Sequence, residues 1–206
     1  MNNATLKTER LPDEFDDPTA LTQIYNPDVN LAIWNRTLDD NIIHYSQLLC
    51  RDFKSYQIRF SGDIAAIERH LQSNLPAILG KGDFIDDVIL LVDMFSELLD
   101  ATEVGLRLAV LTKAMYPKFH VDRVPARLIT TYRGNGAEWV DNAHVNRNER
   151  GTIEVPKSAF INHLFEGQVG LMKGESWEGN ERRGLVHRSA AADENSPRFV
   201  LTLDCI

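Results

Sequence analysis

The chain has 206 residues, 43% of them hydrophobic and 25% charged, with a formal net charge of −8. This length fits one domain of ordinary soluble composition and excludes collagen-like, low-complexity and wholly disordered chains. The acidic balance counts against a nucleic-acid partner, which normally meets a basic face. No run of ~18 apolar residues is available to cross a membrane, since even Phe84 to Leu99 is broken by Asp86, Asp87, Asp93, Ser96 and Glu97.

The chain opens on Met-Asn-Asn-Ala-Thr, without the basic and apolar stretches of a secretory signal. Residues 1–20 carry Glu9, Asp13, Glu14, Asp16 and Asp17, are punctuated by Pro12 and Pro18, and offer little to bury. They are expected to form a disordered acidic tail, leaving 21–206 as a single domain. Cys50 and Cys205 are the two cysteines, with no CxxC spacing, so neither a disulfide framework nor a thiolate zinc ribbon is indicated. The chain reads as a reduced, cytoplasmic protein of undetermined oligomeric state.

Val29 to Trp34 reads as a short strand and residues 38–51 as a helix. Phe53 to Phe60 alternates, with Tyr56, Ile58 and Phe60 on one face, and reads as a strand. Asp63 is placed to cap a helix carrying Ile64, Ile67, Leu71 and Leu75 on one stripe, ended by Pro76 and Gly80-Lys81-Gly82. Asp83 is the next cap candidate. Phe84, Val88, Leu91, Phe95 and Leu98 then form the stripe of an amphipathic helix expected to pack across a sheet.

From Gly105 the period changes to two. Leu106, Leu108, Val110 and Thr112 alternate with Arg107, Ala109 and Leu111. Short segments follow at Arg127 to Tyr132, Gly151 to Val155, Gly167 to Met172, Gly184 to His187 and Arg198 to Cys205. Ser158 to Phe165 reads as a short helix. Polar loops are expected at 141–150 and 173–183. The fold class is α+β: helices with one or two strands over about 21–104, then an all-β sandwich or barrel over about 105–206.

Three places concentrate metal- or anion-binding groups. Residues i and i+2 of a strand share a face, so His120 and Asp122 can address one point. His187 ends the apolar run Gly184-Leu185-Val186, and Arg198 opens a strand. Two imidazoles and a carboxylate on one side of a metal leave other positions open, which suits Fe(II) that must also bind an organic acid and dioxygen. An arginine nearby can pair bidentately with that acid's far carboxylate.

In this order, His120-x-Asp122, His187 and Arg198 resemble the 2-oxoglutarate- and Fe(II)-dependent dioxygenase superfamily. The stretch His120 to Tyr132 is similar to that superfamily's second core strand leading into its third. Over about residues 105–206 the resemblance implies a double-stranded β-helix (jelly-roll) core. It implies His120, Asp122 and His187 as iron ligands and Arg198 as the 2-oxoglutarate anchor. One departure stands out: the small polar residue that usually follows two after the arginine is Val200. Thr202 shares the face of Arg198 but lies ~13 Å along the strand. Tyr132 is the candidate to supply the missing hydroxyl to the co-substrate. The whole chain, with Trp34-Asn35-Arg36, Arg127 to Gly134 and Gly184 to Ser189, also resembles a bacterial family defined only as a domain of unknown function.

The leading expectation is an Fe(II)/2-oxoglutarate oxygenase acting on an undetermined small-molecule or protein substrate. The alternative is a non-catalytic or metal-responsive protein on the same barrel, since a His2Asp site also accepts Zn(II). A third reading dispenses with metal and leaves a scaffold. His144 reads as a solvated loop residue. His44, His70 and His163 read as surface or packing residues, Trp139 and Trp177 as core or loop anchors. Arg127, Arg133 and Arg188 are candidates for an anionic substrate, although scattered arginines are usually solvated. Cys205 has no histidine spaced to activate it.

Overall fold

The computed structural model describes residues 14–148 and 152–206. Most of the expected tail, residues 1–13, lies outside these. Its remainder holds β1 (Glu14–Phe15), which pairs parallel with β2 (Leu31–Trp34), and the start of a 3-10 helix, Pro18–Tyr25. Asp17 caps that helix by accepting from the Thr19 amide at 2.8 Å.

Two of the three α-helices follow the same logic. Asp39 caps α1 (Asp40–Asp52), two residues inside the expected helix start, and Asp63 caps α2 (Ile64–Asn74), as the sequence predicts, by accepting from the Ala66 amide at 2.7 Å. β3 (Gln57–Gly62) lies between them and begins later than expected. The long helix α3 (Lys81–Leu99) starts before its expected cap. Its N-cap is Gly80 at φ 87°, where a Cβ would lie 2.4 Å from the Asn41 carbonyl oxygen. Only glycine fits that approach in the left-handed region. Asp83 therefore sits in the first turn, where its charge complements the helix dipole. Among the described residues no helix is long and apolar enough to cross a membrane.

The remaining strands are β4 (Val104–Leu111), β5 (Ala126–Arg133), β6 (Glu138–Val140), β7 (Asn146–Arg147), β8 (Ile153–Glu154), β9 (Asn162–His163), β10 (Val169–Lys173), β11 (Val186–Arg188) and β12 (Arg198–Cys205). One sheet has the order β1-β2-β10-β5-β12-β4-β3 and a second the order β11-β6-β9. A bridge between His120 and His187 adds the 120 segment beside β11. Along the chain, β4, the 120 segment, β5, β6 with β9, β10, β11 and β12 alternate between the two sheets. Antiparallel pairing in that order is a double-stranded β-helix. No helix forms over the expected 158–165: a turn leads into β9, which pairs with β6, and the Leu164 amide donates to the Ala137 carbonyl at 2.9 Å.

The middle of the large sheet is covered on both faces. Leu106, Leu108, Val110, Leu128, Phe199, Leu201 and Leu203 join α1, α2 and α3 in one core. Ile129, Val200 and Leu111 face the small sheet with Trp139, Leu164 and Leu185. A buried ionic knot ties α3 to this sheet. Asp87 pairs with Arg36, whose Nη2 donates to Oδ2 at 3.1 Å, and Tyr132 Oη donates to the same oxygen at 2.6 Å. Arg36 Nε also donates to the Gly167 carbonyl at 3.0 Å.

Asp87→Ala strands the Arg36 guanidinium without its ionic partner, and a buried pair broken on one side costs about 3–5 kcal/mol. Urea unfolding followed by circular dichroism should show that loss, against about 1–2 kcal/mol for Tyr132→Phe.

Candidate metal centre and adjoining cavity

His120 and His187 are brought together by backbone pairing. Each amide donates to the other's carbonyl at 3.0 Å. Directly opposed residues of an antiparallel pair project to the same face, and the two ring centroids lie 4.5 Å apart. Asp122 faces both rings. Its Oδ2 is 3.3 Å from His187 Nε2, and its Oδ1 is 3.8 Å from His120 Nε2. One ligand atom from each of the three residues falls within 4.8 Å of the others.

The second nitrogen of each ring is held by the backbone. His120 Nδ1 lies 3.0 Å from the Lys118 carbonyl oxygen, and His187 Nδ1 lies 3.1 Å from that of Leu185. A carbonyl oxygen can only accept, so Nδ1 carries the proton and the Nε2 lone pair points at the shared space. Burial, then the neighbouring His187 ring, holds His120 below its ordinary pKa and so neutral. Burial alone would push Asp122 up, but His187, Arg127 and His120 outweigh it and keep the carboxylate ionised. Neutral nitrogens and an anionic oxygen are the protonation states a divalent cation requires.

Arg127 fixes the carboxylate. Its Nη1 is 2.8 Å from Asp122 Oδ2, while Nε and Nη2 donate to Asp204 at 2.7 and 2.8 Å. The guanidinium thus locks Asp122 against the end of β12. Sequence reading placed Arg127 among scattered arginines, although its position five residues after Asp122 at the start of a strand was a usable signal.

His120, His187 and Arg198 line one cavity of about 420 Å³, walled by Ala109, Leu111, Ile129, Ala137 and Val200. Arg198, the first residue of β12, is 2% exposed. Its Nε donates to the Asn135 carbonyl, and no described carboxylate forms an ion pair with it. Burial lowers its pKa to about 10, opposed by Glu138, which itself pairs with Arg188. A guanidinium so buried and so little compensated is a costly charge, which an anion in the cavity would neutralise.

Tyr132 is not part of this cavity. Alternation along β5 turns it to the helix side, where it packs on Phe84 and Phe199 and donates to Asp87. The expected co-substrate role for Tyr132 is corrected accordingly. Val200 does line the cavity and offers no hydroxyl, whereas Thr202 lines it further along β12. Trp139 is buried in the inner core, and Trp177 packs on Tyr25. Arg188 lies over the Phe119 ring, and Arg133 stands on the surface 3.8 Å from Glu166. His70 stacks on Phe60. Cys205 is raised by burial and then by Asp204, which suits a packed thiol rather than a nucleophile.

Fold and cluster together define a double-stranded β-helix carrying a facial His-x-Asp and His constellation. The chain belongs to the family described as "Protein of unknown function (DUF1826)", whose model matches residues 15–204. No curated protein matches it. Among solved structures, it is similar to a dioxygenase for auxin oxidation from rice, at 11% identity and TM-score 0.49, covering 84% of this chain and 73% of that one. A Pseudomonas putida prolyl-4-hydroxylase is similar at 10% identity and TM-score 0.47, covering 91% and 96%. A 2OG-Fe(II) oxygenase family oxidoreductase from Burkholderia pseudomallei is similar at 13% identity and TM-score 0.46, covering 95% and 94%.

A ligand that binds only the folded state stabilises it by about 2.7 kcal/mol at 100 times its Kd. Zn(II), or Fe(II) without air, should therefore raise the melting temperature of the wild type and of His163→Ala. The rise should vanish in His187→Ala, where one of three donors is missing. Calorimetric titration should show metal affinity at least roughly 100-fold lower in that variant, beyond what loss of an outer hydrogen bond costs.

Proposed function

We propose that this protein is an Fe(II)- and 2-oxoglutarate-dependent oxygenase. The observation that carries the reading is Arg198, a buried guanidinium with no ionic partner among the described residues, in the same cavity as His120 and His187. The donor set supports it as well: His120 Nε2, Asp122 and His187 Nε2 would hold the metal and leave its other positions free. When bound, Fe(II) and 2-oxoglutarate supply the activation of dioxygen that oxidises a C–H bond.

The residues of this chain do the rest. Arg198 would pair with the distal carboxylate of 2-oxoglutarate, with its Nε held by the Asn135 carbonyl. Ala109, Ile129 and Val200 give the cavity that holds the anchor and the histidines an apolar wall. Arg127 keeps Asp122 ionised and aimed.

The test is a titration without air. Metal-free protein receives Fe(II), then 2-oxoglutarate, while the visible spectrum is recorded. A charge-transfer band that needs both additions is expected in the wild type and is lost in His187→Ala and in Arg198→Ala. Val200 favours a second reading, because it removes a hydroxyl from beside the anchor. Stoichiometric metal without that band would replace the oxygenase with a metal-binding protein on the same barrel.

A further inference from the structure

Five arginines line the cavity: Arg59, Arg107, Arg127, Arg188 and Arg198. In a chain with a net charge of −8 this is a local reversal of sign. Three of the five are accounted for. Arg127 is neutralised by Asp122 and Asp204, Arg188 by Glu138, and Arg198 is the co-substrate anchor proposed above. Arg59 and Arg107 remain.

These two stand directly opposite each other in the β3–β4 register, on the face that lines the cavity. Directly opposed like charges weaken a sheet. No described carboxylate forms an ion pair with either. The shared neighbour is neutral: with its amide turned to satisfy the contacts, Gln57 Oε1 accepts from Arg59 Nε at 3.0 Å and from Arg107 Nε and Nη2 at 2.9 and 3.2 Å. This holds the two forks side by side without cancelling their charge. Burial, then the Arg59 charge, pulls the Arg107 guanidinium below its ordinary pKa.

Tyr116 connects the pair to the metal centre. It lines the same cavity as Arg107, and its ring centroid is 5.3 Å from that of His120. A molecule gripped by the arginines would lie over Tyr116 and extend toward the histidines. A cavity of about 420 Å³ suits a small molecule rather than a polymer.

We infer that Arg59 and Arg107 bind the phosphate of a small phosphomonoester, which is the substrate class of this cavity. A carboxylate carries one charge and fills one guanidinium fork. A phosphate monoester near pH 7 carries nearly two charges and offers three strong acceptor oxygens, which match two adjacent forks. This substrate class rests on the oxygenase reading for its chemistry, while the anion site itself does not.

The test uses the full chain and two probes, phenyl phosphate and benzoate, in calorimetric titrations at low salt. Phenyl phosphate should bind the wild type at least about tenfold more tightly than benzoate. Loss of a charge-assisted hydrogen bond costs about 10- to 100-fold in affinity, so Arg59→Gln and Arg107→Gln should each weaken phenyl phosphate by that factor. The melting temperature of Arg59→Gln should hold or rise, because the substitution relieves repulsion on an exposed side chain. A merely structural arginine would lower it. Unchanged affinity in both variants, or tighter benzoate than phenyl phosphate, overturns the assignment. The Fe(II) and 2-oxoglutarate band of the wild type separates the two readings. Phosphate binding without the band keeps the anion site and removes the oxygenase. The band without phosphate binding removes only the substrate class.

Discussion

The central strands β4, β5 and β12 are buried on the helix face and partly buried on the other, and their period of two decides nearly everything else. One set of side chains, Leu106, Leu108, Leu128, Phe199 and Leu201 among them, is committed to the helices. The other set, Arg107, Arg127, Ile129, Arg198 and Val200, has nowhere to project but the cavity. A slip of one residue would exchange the two sets and place arginines against Phe84 and Val88. The helices therefore do more than cover the sheet. By taking one face, they fix which residues reach the cavity.

The same constraint separates two ionic systems of opposite purpose. Arg36, Asp87 and Tyr132 lie on the helix side and satisfy one another, joining α3 to β5 and to the chain after β2. On the cavity side the balance is left open. Arg127 is fully engaged by two carboxylates, but Arg198, Arg59 and Arg107 meet only carbonyl oxygens. Charges unpaired inside a partly buried space cost stability. The chain concentrates that cost around one triad of metal-ligand type, which is where a functional site would carry it.

Much of the fold was legible from local chemistry. The stripe of α3, the Asp63 cap and the alternation of β4 and β12 follow from periodicity and capping, which act within a few residues. The failures were of one kind. Asp83 looked like a cap, yet the close approach of Gly80 to Asn41 set the helix start. Residues 158–165 looked helical, yet β6 supplied carbonyl partners that β9 took up. In both places a contact with a distant segment overrode a local preference.

The site divides the same way. The sequence by itself determined the donor types, the order His120, Asp122, His187, Arg198, and the strand that carries Arg198, because these depend on residue identity and spacing. Only the tertiary structure decided that the His120 and His187 amides pair, that Arg127 locks Asp122, and that Tyr132 faces away. It also decided that Arg59 stands opposite Arg107. Those facts depend on strand register between segments far apart in the chain, and register is set by which face of the whole sheet the helices bury.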